Sequence, residues 1–186
     1  MKQIEYLDLY DSALAKDCIT HTHLPFLKDY IALHILLKLA EPKSVMEIGT
    51  HIGEGTNIIC NAVPKAKVHS LDLPLHESNK TQQHPILKGM KVGEICKRTY
   101  VQLFGDSMNF QYPECDAWFI DGEHDYTHPR HETSEAIKQK AKLIVWHDAD
   151  IPEVFNAIND SFAYNSDYEV YRVTGTAIAY ATLIEK

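Results

Sequence analysis

Residues 44–56 read S-V-M-E-I-G-T-H-I-G-E-G-T, a short apolar run that stops abruptly at Gly49. Apolar residues at helical spacing resume after Thr56, at positions 58, 59, 62 and 63. This pattern predicts a buried strand over 44–48, a tight turn and a helix, which together open a nucleotide-binding βαβ unit. Glycine suits the turn because it tolerates a positive φ and lets the backbone approach a ligand closely.

Two acids lie at the carboxyl ends of predicted strands. Glu47 lies near the end of the first strand, where an unpaired buried carboxylate would be costly and a pair of ribose hydroxyls would be a suitable partner. Asp72 ends the next apolar run, 67–72, 19 residues beyond Gly53. In βαβ nucleotide folds, an acid about 20 residues past the glycine turn binds ribose hydroxyls. A helix-capping role is the alternative for Asp72.

The composition limits the class of protein. A chain of 186 residues with 45% hydrophobic and 24% charged residues is typical of one soluble domain. The formal net charge of -8 argues against a nucleic-acid substrate, because such proteins grip phosphates with basic side chains. The longest apolar segment, 31–40, is too short to cross a membrane.

The cysteines and the amino terminus bear on localisation. The four cysteines show no C-x-x-C spacing and are predicted to be reduced thiols, and residues 1–5 do not resemble a signal peptide. We therefore expect a cytoplasmic protein with no membrane partner.

Alternation of strands and helices predicts the fold class. A helical pattern over 26–39 is followed by predicted strands at 44–48, 67–72, 99–104, 115–120 and 141–146, and by a hairpin of 168–173 with 176–184. We predict an α/β fold with a doubly wound, seven-stranded, mostly parallel sheet and a C-terminal antiparallel hairpin. Residues 1–186 would form one domain, with 1–43 as a helical cover and 44–186 as the core. Residues 74–97 are irregular and are predicted to be a lid or a disordered segment.

Five motifs occur in order over about residues 26–184: E-I-G-T-x-x-G-x-G-T at 47–56, L-D at 71–72, G-D-S at 105–107, F-I-D-G-x-H-x-Y at 119–126 and W-H-D-A-D at 146–150. By these motifs the chain resembles the class I S-adenosylmethionine (SAM) methyltransferases, in a small-molecule branch similar to the cephalosporin-hydroxylase-like proteins. The resemblance implies a Rossmann-like methyltransferase fold and SAM as cofactor. It assigns cofactor contacts to Glu47, Gly49, Thr50, Gly53, Thr56, Asp72, Leu73, Asp106, Ser107 and Asp121.

The resemblance also implies a metal site and a base. Metal-dependent O-methyltransferases place one Asp after the fourth strand and an acidic or amide pair after the fifth, which correspond here to Asp121 and to His147 with Asp148. The histidine departs from the usual pair. Oxygen ligands favour Mg²⁺, whereas an imidazole shifts the preference toward Mn²⁺ and later metals. His124, three residues beyond Asp121, stands where related enzymes have a catalytic base; a purely structural role in its own loop is the alternative.

Several functions remain open at this point. The first is O-methylation of a small hydroxylated metabolite or a sugar or glycan precursor, with or without a divalent metal and with or without homo-oligomerisation. The second is a metal-dependent hydrolase, suggested by the histidines and acids of 121–131 and 147–150. The third is a SAM-fold binding protein without catalysis. A dinucleotide oxidoreductase is disfavoured because G-x-G-x-x-G is missing.

Overall fold

A mixed β-sheet runs through the molecule. The computed structural model describes residues 1–16, 18, 26–51, 53–74 and 100–184, so the predicted lid segment 74–97 lies outside the described residues except for Pro74. The sheet has eight strands in this part of the chain: β1 Lys2–Glu5, β2 Ser44–Ile48, β3 Lys67–Asp72, β4 Tyr100–Phe104, β5 Ala117–Ile120, β6 Leu143–Trp146, β7 Tyr168–Thr174 and β8 Ala179–Leu183.

The strand order confirms the predicted fold class. The strands lie in the order β1-β7-β8-β6-β5-β2-β3-β4. Strands β6, β5, β2, β3 and β4 pair in parallel, while β8 is antiparallel to both β6 and β7. One strand more than predicted is present, because β1 pairs in parallel with β7. Ile4 is the single apolar residue of β1, so the segment has no alternating pattern and its strand conformation depends on the backbone pairing.

Helices cover both faces of the sheet. They are α1 Tyr6–Leu9, α2 Ser12–Ala15, α3 Leu27–Ala40, α4 Glu54–Ala62, α5 Thr127–Lys138 and α6 Pro152–Phe162. Successive strand residues point to opposite faces, so Val45 packs in the core beneath α3 and α4, whereas Met46 packs in the core beneath α5 and α6. Residues 1–43 thus contribute a strand as well as helices.

The carboxyl ends of the central strands are aligned. Beyond each strand the ladder continues for one residue: the Gly49 N–H donates to the Leu71 carbonyl at 2.9 Å, and the Asp121 N–H donates to the Ile48 carbonyl at 2.9 Å. The His147 N–H likewise donates to the Ile120 carbonyl at 3.1 Å. The loops that carry the predicted site residues therefore start from one edge of the sheet.

Two smaller predictions concern the cysteines and the membrane. Cys18 and Cys115 are free thiols, as expected, but Cys60 on α4 is disulfide-bonded, so the prediction of four reduced thiols is wrong at that position. No helix of the described ranges is both long and apolar enough to span a bilayer.

Candidate active site

A cavity of about 540 Å³ opens at the carboxyl ends of β2, β3, β4 and β5. This is where ligands bind in open α/β sheets, and the volume lies in the usual range for small-molecule sites. Among the residues predicted to bind the cofactor, six line the cavity: Gly49, Asp72, Leu73, Asp106, Ser107 and Asp121. The predicted base, His124, also lines it.

The glycine turn after β2 packs directly on the turn after β5. Gly49 has φ +92°, a left-handed conformation that strains any residue with a side chain. A Cβ at this position would lie 2.0 Å from the carbonyl oxygen of Asp121. The close approach of the two turns, which brings Gly49 and Asp121 together on the cavity wall, therefore requires glycine.

Asp72 lies at the end of β3, where the ribose-binding acid was predicted. One carboxylate oxygen accepts from the His51 N–H at 2.9 Å and the other from the Leu73 N–H at 2.8 Å. These backbone bonds fix the carboxylate at the cavity wall. Each oxygen retains a lone pair, so the group can accept further hydrogen bonds from ligand hydroxyls.

Glu47 is fully buried and lies behind the glycine turn rather than on the cavity wall. It accepts hydrogen bonds from the hydroxyls of Thr56 and Ser70. Burial raises the pKa of Glu47 to about 8, and those two hydroxyls offset part of the rise. Thr50 extends the same network, since its hydroxyl lies 2.6 Å from that of Ser70.

Four predicted cofactor contacts therefore belong to the framework of the turn: Glu47, Thr50, Gly53 and Thr56. Gly53, with φ +82°, precedes the first residue of α4, and its N–H donates to the Thr50 carbonyl at 2.8 Å. Both hydroxyl donors bond Oε2 of Glu47, whereas its buried Oε1 has no hydrogen-bond partner in the described part of the chain. The structure places these four side chains or backbone groups beside the cavity, and their direct contact with a cofactor remains a prediction.

Asp121, His124 and Asp148 form a cluster at the β5 side of the cavity. One ligand-type atom from each lies within 4.8 Å of the others, which is the spacing that a shared metal ion requires. His124 Nε2 is 3.0 Å from an Asp148 carboxylate oxygen, and this hydrogen bond raises the pKa of His124. Burial alone would raise the pKa of Asp148, but hydrogen bonds from His124 and His147 outweigh it and lower the pKa well below its usual range.

His147 lies behind this cluster. Its Nδ1 is 2.8 Å from Asp148 and 3.4 Å from Asp121, and its Nε2 is 3.3 Å from Asp29 on α3. Burial lowers the pKa of His147, but the three carboxylates together raise it well above its ordinary value. Both ring nitrogens of His147 thus face carboxylates, and in this arrangement the ring holds the acids in place. Its predicted role as a metal ligand stays a prediction, and His124 lies close enough to the same two acids to be a further candidate ligand.

Asp106 caps the turn that follows β4. Its two carboxylate oxygens accept from the Met108 N–H at 2.9 Å and from the Asn109 side-chain amide at 3.2 Å. These bonds start the short 3₁₀ helix Ser107–Asn109 and place Ser107 at the cavity wall. The sequence predicted a cofactor contact here, and the structure adds this local capping role.

Three further residues belong to the site: one is a histidine of 121–131 that was expected to face solvent, and two are acids that the sequence did not single out. His128 and Glu132, both on α5, line the cavity, and Asp29 pairs with His147. A weak signal existed for two of them. Asp29 falls on the apolar face of α3, four residues before Leu33, and Glu132 lies four residues before Ala136 on the buried face of α5. An acid on an apolar face requires a partner, but the sequence does not identify that partner.

No protein-family model matches the sequence, and no curated protein matches it. Solved structures do match. An O-methyltransferase from Bacillus cereus in complex with S-adenosylhomocysteine (SAH) aligns with TM-score 0.62 and 14% identity over 96% of this chain and 90% of that one. The O-methyltransferase TomG from Streptomyces achromogenes, in complex with SAM, aligns with TM-score 0.60 and 16% identity over 95% and 91%. A methyltransferase from Geobacter sulfurreducens aligns with TM-score 0.63 and 13% identity over 87% and 81%. The chain therefore has the Rossmann-like fold of these methyltransferases.

Proposed function

We propose that the protein is a SAM-dependent methyltransferase that O-methylates a small hydroxylated metabolite or a sugar or glycan precursor. The observation that carries the proposal is the arrangement of the cavity. A left-handed glycine turn, with Gly49 at its start, lies between a ribose-type acid, Asp72, and the Asp121–His124–Asp148 cluster. The shared fold supports the same conclusion, since two of the similar proteins were solved with SAM or SAH.

The residues of the cavity fit a nucleoside cofactor with a positive charge. Asp72 would accept hydrogen bonds from the ribose hydroxyls, while the Gly49 turn leaves backbone open toward the ligand. Acids crowd this edge of the sheet, and a sulfonium with an amino group would neutralise part of their charge. When bound, SAM would supply a methyl group for in-line transfer: the acceptor oxygen bonds the methyl carbon, and the sulfur leaves as the neutral thioether of SAH.

The chain would contribute alignment and proton removal. His124 donates its Nε2–H to Asp148 in the tautomer that matches the 3.0 Å contact, which leaves the Nδ1 lone pair to take a proton from the acceptor hydroxyl. Asp148 is itself held by His147, and His147 by Asp29. This chain of contacts would keep the base in one orientation during methyl transfer.

Asp121 and Asp148 would hold a divalent cation, Mg²⁺ or Mn²⁺, at the same edge. The donor set fits, because carboxylate oxygens suit both ions and the ligand-type atoms are grouped within 4.8 Å. Such an ion lowers the pKa of a bound hydroxyl. Asp148 has two oxygens, so it can bind an ion and orient His124 at once. If His124 itself bound the ion, its lone pair could not serve as a base.

The first test is cofactor binding. Isothermal titration with SAH should give a dissociation constant of micromolar order. Asp72→Ala should weaken it by about 10- to 100-fold, because hydrogen bonds to a charged group are worth about 1.5–3 kcal/mol. Asp116→Ala is the matched control, since Asp116 also accepts a backbone N–H, from Lys43 at 2.7 Å, but at the amino end of β5. The proposal fails if neither SAH nor SAM binds to the folded protein.

The second test concerns the metal. We expect EDTA to lower the rate of methyl transfer to the best acceptor in a panel of catechols, phenols and sugars by about 10²-fold or more, with Mg²⁺ or Mn²⁺ restoring it. Asp121→Asn should raise the metal concentration needed for half-maximal rate, whereas Asp150→Ala, a nearby exposed acid outside the cluster, should not. Turnover that is indifferent to EDTA would remove the ion from the proposal and leave the base in place.

A metal-dependent hydrolase is the second candidate, and the Asp121–His124–Asp148 cluster is the observation that favours it. Metal-activated water is the usual nucleophile of such enzymes. Turnover of generic phosphate or carboxyl esters by a protein that binds neither SAM nor SAH would support this candidate instead.

A further inference from the structure

Glu132 on α5 is a buried acid whose carboxyl forms no well-aligned hydrogen bond with the described residues. Its exposed fraction is 0%, and neither carboxyl oxygen has a partner in the described part of the chain. The residue nevertheless lines the cavity, beside Ser107, Gly122 and His128. Burial of an unpaired carboxyl is costly. The Ser107 hydroxyl is near enough to lower the pKa of Glu132 and could supply one donor, which leaves the carboxyl with capacity for a further hydrogen-bonding group.

The protonation of Glu132 indicates which kind of ligand group its carboxyl could bind. Burial raises the pKa of Glu132 to about 7, and the nearby Ser107 hydroxyl offsets only part of that rise. Near neutral pH the carboxyl therefore presents acceptor oxygens and, in its protonated form, one donor. A neutral ligand with an amino group next to a ring nitrogen would pair with both: the amino group would donate to a carboxyl oxygen, and the ring nitrogen would accept from the O–H of the protonated form.

The position of Glu132 indicates which part of a nucleoside it would contact. Asp72, the ribose-type acid, ends β3, and the neighbouring strand β4 leads into Gly105 and Ser107 on the same cavity wall. The 3₁₀ helix at Ser107 packs against α5, the helix that carries Glu132. A nucleobase attached to a ribose at Asp72 would extend toward the end of the cavity formed by Ser107 and α5. Asp106, the other acid there, accepts one hydrogen bond on each oxygen, from Met108 and Asn109, and like Asp72 keeps a lone pair on each; Glu132 differs in having no well-aligned hydrogen bond in the described part of the chain.

We propose that Glu132 binds the exocyclic amino group of adenine and so selects an adenine nucleoside in this cavity. The inference rests on the proposed use of SAM. The carboxyl oxygens have less than 1 Å² of exposed surface each, so the side chain must turn toward the cavity to reach the base. A glutamate can make that movement because three of its side-chain torsions rotate, and the hydrogen bonds gained would offset the cost of burial.

The experiment compares SAH with S-inosylhomocysteine, in which a carbonyl oxygen replaces the amino group. By calorimetry, the wild-type protein should bind SAH about 10- to 100-fold more tightly, because the inosine oxygen would oppose an acceptor. Glu132→Gln, which has the same shape, should narrow or reverse that preference, since its amide can donate to the inosine oxygen. Glu135→Gln is the matched control: Glu135 lies on the same helix but pairs with Lys138.

The outcomes separate this inference from the proposed function. If the wild-type protein binds both compounds equally, or if Glu132→Gln keeps the wild-type ratio, Glu132 does not recognise the base, although the methyltransferase proposal stands. The wild-type comparison requires no variant to fold. If the wild-type protein binds neither compound, the proposed function fails and this inference fails with it.

Discussion

Replacement of His124 by alanine is expected to lower kcat for methyl transfer by about 10²–10⁴-fold, the usual contribution of a general base, while the affinity for SAH changes little. The expected loss of kcat follows from the position of His124. His124 lines the cavity and is held by Asp148 at 3.0 Å, with one ring nitrogen left for the acceptor hydroxyl. The cofactor contacts proposed for Gly49 and Asp72 lie elsewhere on the wall and are unaffected.

The control is His131→Ala, which removes the same imidazole from α5 at a position that does not line the cavity. The rates should be measured at saturating SAM with and without excess Mn²⁺. A base cannot be restored by metal, so rescue of His124→Ala by Mn²⁺ would make His124 a ligand instead. Full activity of His124→Ala without added metal would leave His124 as part of the loop structure only.

The fold was predictable because the strands of this chain are short, apolar and regularly spaced. The hydrophobic runs ending at Ile48, Asp72 and Ile120 mark central strands, and parallel strands align their carboxyl ends at one edge. Strand β1 was missed because its single half-buried residue, Ile4, gives no alternation. Its pairing partner, β7, lies at the opposite end of the sequence.

The partners of the site residues were less predictable, because they depend on contacts distant in sequence. Glu47 was expected to face a ribose, but Ser70 on the adjacent strand and Thr56 on α4 meet its carboxylate first. Asp29 and His147 are separated by 118 residues, so the sequence does not show that they meet. This contact engages Nε2 of His147, while its Nδ1 still lies next to Asp148 and Asp121, so its role as a metal ligand stays a prediction. His124 is a second imidazole beside the same two acids, and its place there was predicted only as that of a base.

The second large effect is expected at the glycine turn. Gly49→Ala should lower the free energy of unfolding by about 2–5 kcal/mol and abolish measurable SAH binding. The left-handed φ of +92° costs an alanine about 1–2 kcal/mol, and crowding in a packed region adds about 1–3 kcal/mol. The added Cβ would lie 2.0 Å from the Asp121 carbonyl oxygen, so the turns after β2 and β5 would have to separate.

Gly175→Ala separates the two causes. Gly175 also has a positive φ, +74°, in the turn between β7 and β8, but a Cβ there would meet no atom within 4 Å. Urea unfolding should therefore show only the backbone cost, about 1–2 kcal/mol, with SAH affinity unchanged. The difference between the two variants measures the cost of forcing the turns apart. If both lose the same stability and Gly49→Ala still binds SAH, contact between the turns does not shape the cavity, and glycine is needed at position 49 for its backbone conformation alone.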